Sequence, residues 1–170
     1  MWVDHLNLLY HISQGVLELS NLSYEYTTYI ASTAERVWQA LTTSADTEVY
    51  FFGRKLHSSW KVGEEVSFLR EQDELDVFGD LIEVHPFEKI SYTWNVPDDP
   101  SIRNQPSVVT FLIKQLEGTV KLTLIHSHLA ETDFVEASDT FRGLNNGWPA
   151  IISNLKSYLE TGKPLQAIQA

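Results

Sequence analysis

Two histidines, His126 and His128, stand two residues apart at the end of the alternating apolar run Thr119–His128. In an extended strand that spacing places both on one face. If Leu122 and Leu124 face inward, the histidines do too. A pair of inward imidazoles can ligate a metal or serve as acid and base. No acidic residue stands at a ligand spacing on the same element, so the sequence argues for neither a metal site nor a catalytic set, and no cofactor is expected. His57 and His85 lie beside turns and are read as surface residues.

Other chemistries are excluded more directly. The chain has no cysteine, which removes disulfides, thiolate catalysis and cysteine-based zinc sites, and agrees with a reducing, cytoplasmic setting. There is no phosphate-cradling glycine loop, no Gly-x-Ser-x-Gly elbow and no His-Glu-x-x-His motif. Glu83 and Glu88 flank Pro86 without forming a paired-carboxylate site. With 12 basic against 23 acidic residues the formal charge is −11, which argues against nonspecific nucleic-acid or anionic-membrane partners. Much of the acid falls in one stretch, Glu64, Glu65, Glu71, Asp73, Glu74, Asp76 and Asp80, read as a solvated hairpin face. Asp4 and His5 interrupt the N-terminus, so no secretory leader is expected, and no run has the length of a membrane span.

The elements that must position these groups follow from periodicity. Trp2, Leu6, Leu9, Ile12, Val16 and Leu19 recur at helical spacing and predict a helical extension over residues 1–22, weakened by Gly15. From Tyr24 the period becomes two, a strand ending near Ile30. Ser32 and Glu35 have the form of a capping box, opening a helix with Val37, Trp38 and Leu41 on one face. Strands are predicted at Val66–Arg70, Val77–Val84, Lys89–Trp94, Ser107–Gln115 and Thr119–His128. Strands in series without intervening helices mean an antiparallel meander. Gly79 inside a strand predicts a bulge or tight bend. A final helix is predicted over Asp139–Glu160, interrupted at Pro149 and stopped by Gly162 and Pro164. Residues 165–170 are left as a tail, and residues 23–164 as one domain.

This order of strand, short helices, six-strand meander and long terminal helix is also carried by specific residues. Ile30 to Leu41, Tyr50-Phe51-Phe52, Trp60-Lys61-Val62-Gly63, the Gly79 to Pro86 strand, Ile90 to Trp94, Gly147-Trp148 and Tyr158-Leu159 recur in sequence. Together they resemble the START-like and polyketide cyclase (SRPBCC) superfamily, in the branch of heat-shock-protein-90 ATPase activator homologues. Glu64 replaces a glycine usual after Gly63, and residues 1–22 have no counterpart there.

The resemblance implies an α+β helix-grip fold, with a curved antiparallel sheet wrapped around the terminal helix and an apolar cavity between them. The expected lining is Trp38, Phe52, Phe68, Phe78, Tyr92, Trp94, Phe111, His126, Phe141 and Trp148, each of which also fits ordinary core packing. The function implied first is binding of a small hydrophobic or amphipathic molecule, without catalysis. The alternatives are a co-chaperone-like regulator that binds a heat-shock chaperone, or a cyclase or hydrolase acting on an apolar substrate, with His126 and Tyr92 the first residues to suspect. The expected partners are thus an apolar molecule or lipid, or a chaperone, with the protein itself a monomer or homodimer.

Overall fold

A computed structural model describes residues 22–99 and 105–166. The helical extension expected for residues 1–22 lies outside the described residues, except for Leu22, which opens the first strand. In order the elements are β1 (Leu22–Ile30), α1 (Ala34–Thr42), α2 (Ser44–Tyr50), β2 (Lys55–Ser58), β3 (Glu65–Leu69), β4 (Leu75–His85), β5 (Lys89–Trp94), β6 (Ser107–Gln115), β7 (Val120–Leu129) and α3 (Leu144–Thr161). All seven strands form one antiparallel sheet in the order β1-β7-β6-β5-β4-β3-β2.

The sheet has one buried face because its strands alternate. In β6, Ser107, Val109, Phe111 and Ile113 point inward, and in β7 Val120, Leu122, Leu124 and His126 do. α3 lays Trp148, Ile151, Ile152 and Leu155 against this face, and α1 adds Val37, Ala40 and Leu41. Each such side chain, fully buried, contributes about 1.5–3 kcal/mol before conformational entropy is subtracted.

Several boundaries differ from those the sequence suggests. The helix α1 is capped by Thr33, whose Oγ1 accepts from the Arg36 amide at 3.3 Å, and not by Ser32 one residue earlier. β2 is the strand that residue periodicity misses: its four residues are too few to show alternation. α3 begins at Leu144, not near Asp139. Residue 143 has φ 74°, and an added Cβ would lie 2.7 Å from the Val135 amide, so glycine alone suits this entry to the helix. Pro149 sits inside α3 and cannot donate to the Asn145 carbonyl. The Tyr24 hydroxyl, 3.5 Å away, donates to that carbonyl instead.

Gly79 has the role its position in β4 suggests, by close approach. A Cβ there would fall 1.8 Å from the Thr93 carbonyl oxygen. The backbones of β4 and β5 can meet only because it is absent, and register shifts on both sides of β4 accompany the bend. The acidic stretch does not form one face. Glu71, Asp73 and Glu74 occupy the β3–β4 connection, whereas Glu64, Glu65 and Asp80 lie at the opposite end of those strands. Asp76 belongs to neither group, being held by Arg54 at 2.8 Å and by Arg70.

Candidate functional site

The end of the sheet where β5 and β6 are joined carries a cleft of about 420 Å³ beside the first turns of α3. Phe51, Trp94, Trp148 and Ile151 line it together with Val77, Ser107 and His126, and Asp76, Asp98, Asp99 and Asp133 are its acidic lining residues. It has the size and apolar character of a small-molecule site.

Its polar lining is set by strand register. Ser107 pairs with Trp94 across β5 and β6, and His126 pairs with Val109 across β6 and β7. Alternation turns Ser107 and His126 inward, and both are 2% exposed. The Trp148 indole Nε1–H, from α3, donates to His126 Nδ1 at 3.0 Å. An indole nitrogen can only donate, so Nδ1 must be an acceptor. In a neutral imidazole the proton then resides on Nε2, which lies 3.0 Å from Ser107 Oγ and donates to it. The Ser107 hydroxyl in turn donates to the Trp94 carbonyl at 2.9 Å. The four groups form a relay with a single direction, from the helix to β7, β6 and β5.

That direction decides the chemistry. A serine nucleophile needs a histidine nitrogen able to take its proton. Here the nitrogen facing Ser107 already carries one, and the serine proton points away, to a carbonyl. The Ser107–His126 contact therefore resembles a catalytic pair in distance and opposes one in polarity. Tyr92 is also poorly placed to act: it is 4% exposed, and burial pushes its phenol well above the ordinary value, holding it protonated.

The second histidine leaves the face that spacing predicts for it. His128 has φ 59°, and the β1–β7 register shifts between Leu22 and Tyr24. The bulge takes one residue out of phase, so Leu129 fills the next inward position and His128 is partly exposed. No group of three or more His, Cys, Asp or Glu that could hold a metal occurs among the described residues.

Of the residues singled out in the sequence, Trp94, His126 and Trp148 line the cleft. Phe68, Tyr92 and Phe111 lie behind it in a continuous ring stack. Phe68 is 5.5 Å from Trp94, and Phe111 is 6.0 Å from Trp148, between ring centroids. Phe52 pairs with the half-exposed Phe141 at 6.2 Å, ahead of α3. Trp38 packs edge-on against Phe87 of the β4–β5 turn. Phe78, 37% exposed, lies on β4 in an isolated bridge with Asn95. Sequence reasoning passed over Ser107 and Phe51. The signal for Ser107 was present: it is the one polar member of the inward set Ser107, Val109, Phe111 and Ile113.

Residues 31–160 match the family described as Activator of Hsp90 ATPase homolog 1-like protein. No curated protein sequence matches significantly. Among solved structures, the Aha1 dimer from Colwellia psychrerythraea is 18% identical, with a TM-score of 0.62, covering 84% of this chain and 98% of that one. A protein from Mesorhizobium loti is 23% identical, with a TM-score of 0.65 and coverages of 81% and 96%. An HSP90 activator from Plasmodium falciparum is 20% identical, with a TM-score of 0.62 and coverages of 81% and 95%. These likenesses fix the START-like helix-grip fold.

Proposed function

We propose that this chain, which belongs to the Activator of Hsp90 ATPase homolog 1-like family, binds a small apolar or amphipathic molecule in the cleft beside α3. The observation that carries this reading is the one-directional relay. It satisfies every buried polar group at the cleft floor while leaving no activated nucleophile, so the site is built to hold a ligand and not to attack one. The aromatic walls supply apolar contact, and Ser107 Oγ retains a lone pair for a ligand donor.

Fluorescence of Trp94 and Trp148 during titration with short-chain amphiphiles tests the reading. Saturable quenching that is lost in Ile151→Trp, which fills the cleft, is the expected result. Absence of any saturable change with neutral, cationic and anionic amphiphiles would set the reading aside.

A second reading, a co-chaperone-like regulator, is supported by the family description. The acidic β3–β4 connection, Glu71, Asp73 and Glu74, gives it a contact surface for a basic partner. A change in chaperone ATPase rate on titration, reduced by charge reversal at these three positions, would favour it. An unchanged rate would remove it. A homodimer is compatible with either reading, and sedimentation as a single concentration-independent monomer would exclude it.

A further inference from the structure

We propose that the ligand carries an uncharged hydrogen-bond acceptor, such as a ketone, ester or amide carbonyl, and sets it against the Tyr92 hydroxyl, one ring behind the cleft wall. The inference rests on the ligand-binding reading of the same cleft and names the class of occupant and the group that receives it.

Register places Tyr92. On β5 it is the inward residue next to Trp94, and it pairs with Val109 of β6 and Leu81 of β4, both buried and apolar. Its ring lies 6.3 Å from Trp94, at 26°, and 6.3 Å from Phe68. Phe51 in turn lies 6.4 Å from Trp94 and 5.0 Å from Phe68, and Phe51 and Trp94 line the cleft.

Tyr92 is 4% exposed, yet its hydroxyl has no hydrogen-bond partner among the described residues: burial alone shifts its titration, with no hydrogen bond contributing. Every side-chain nitrogen or oxygen sealed from solvent among the described residues does have a partner, so the Tyr92 oxygen is not sealed and opens on a void. Tyr50, whose phenol is close enough to feel the charge of Tyr92, gives its own proton to the Ala40 carbonyl at 3.0 Å. A buried O–H without an acceptor is costly, and one that opens on a void is a place for an oxygen from outside the chain.

The surroundings set the class of that oxygen. Burial holds the phenol protonated, so it offers a hydrogen. No lysine or arginine lines the cleft among the described residues, so a carboxylate drawn in beside Tyr92 would be desolvated without a countercharge. A carbonyl oxygen accepts the same hydrogen without that cost. An apolar remainder matches Phe51, Trp94 and Ile151.

The test is a calorimetric titration of the full chain with three probes of similar size: acetophenone, ethylbenzene, in which a methylene replaces the carbonyl, and benzoate. Each is measured on the wild type and on Tyr92→Phe, which removes the hydroxyl and keeps the ring. The variant should bind acetophenone about fivefold more weakly and ethylbenzene equally well. Benzoate should bind the wild type most weakly of the three. Without ligand, Tyr92→Phe should melt no lower than the wild type, because the hydroxyl it loses has no partner there. Acetophenone affinity unmoved by the substitution, with ethylbenzene still bound, would overturn the Tyr92 contact and leave the cleft a plain apolar site. A lower melting temperature without ligand would show the hydroxyl already satisfied, by buried water or by the protein, and would overturn the contact too. Benzoate binding more tightly than acetophenone would overturn the uncharged acceptor. Failure of all three to bind would overturn the contact and the binding reading together.

Discussion

α3 carries a polar cluster near each end, and the two are built on opposite terms. Toward its C-terminus, Tyr158 donates to Asp46 at 2.7 Å, and Asp46 also accepts from Arg36 at 3.1 and 2.7 Å and from Thr43 at 2.7 Å. This knot is ionic, joins α1, α2 and α3, and borders no part of the cleft. Toward the N-terminus, Trp148 starts the His126–Ser107–Trp94 relay, which links α3 to the sheet and floors the cleft. Ten residues of helix, about 15 Å, separate them. An ion-paired cluster fixes geometry wherever charges can be matched. A cluster facing a ligand cavity has to stay satisfied whether or not the cavity is filled, and a closed chain of neutral donors does that.

The largest expected effect is at the relay. Trp148→Ala removes a large buried side chain and orphans His126 Nδ1, and should cost about 3–5 kcal/mol in urea denaturation. Trp148→Phe keeps the ring volume in part and should cost less. If the two variants lost equal stability, the hydrogen bond would carry the effect and packing would not.

The knot should respond next, and to pH. Burial pushes the Asp46 carboxyl up, but the hydrogen bonds from Arg36, Thr43 and Tyr158 outweigh it and hold the group below the usual carboxylate range. A lowered native value means that this stability is present above the unfolded carboxylate range and is lost as pH falls through the native value. Asp46→Asn should therefore cost about 1–3 kcal/mol at neutral pH. Its stability should also fall less steeply on acidification than that of the wild type. An unchanged acid limb in the variant would show that other carboxylates dominate it.

Six of the seven strands and the terminal helix were legible in the sequence, though several of their ends were not, because period-two alternation and a helical stripe survive in single residues. Lys89–Trp94 and Ser107–Gln115 are examples in which the expected and observed strands coincide. The candidate site was legible only in part. Trp94, His126 and Trp148 could be named as types, but their joining depends on register across three strands, which no local pattern states. His128 was misplaced for a related reason: a single left-handed residue shifts the phase of everything after it. The acidic stretch misleads in the same way, since a hairpin carries neighbours in sequence to opposite ends of two strands.

Smaller effects sharpen the contrast. Ser107→Ala leaves the His126 Nε2–H without its acceptor and should cost about 1–2 kcal/mol, while Ser107→Thr, if its methyl is accommodated, should cost less. Thr43→Ala removes one of several bonds to Asp46 and should cost about 1 kcal/mol or less, because Arg36 and Tyr158 remain. A knot more sensitive to Thr43 than the relay is to Ser107 would reverse the comparison.

The claim that the cleft floor holds and does not react stands on the proton of one ring. Nitrogen-15 NMR of the histidine side chains, with His126 assigned by comparison with His126→Gln, reads its position directly. The relay predicts a neutral His126 protonated at Nε2, with Nδ1 showing the shift of an unprotonated acceptor. A proton found on Nδ1, with Nε2 free to accept from Ser107, would contradict the account and restore a serine–histidine pair competent for catalysis.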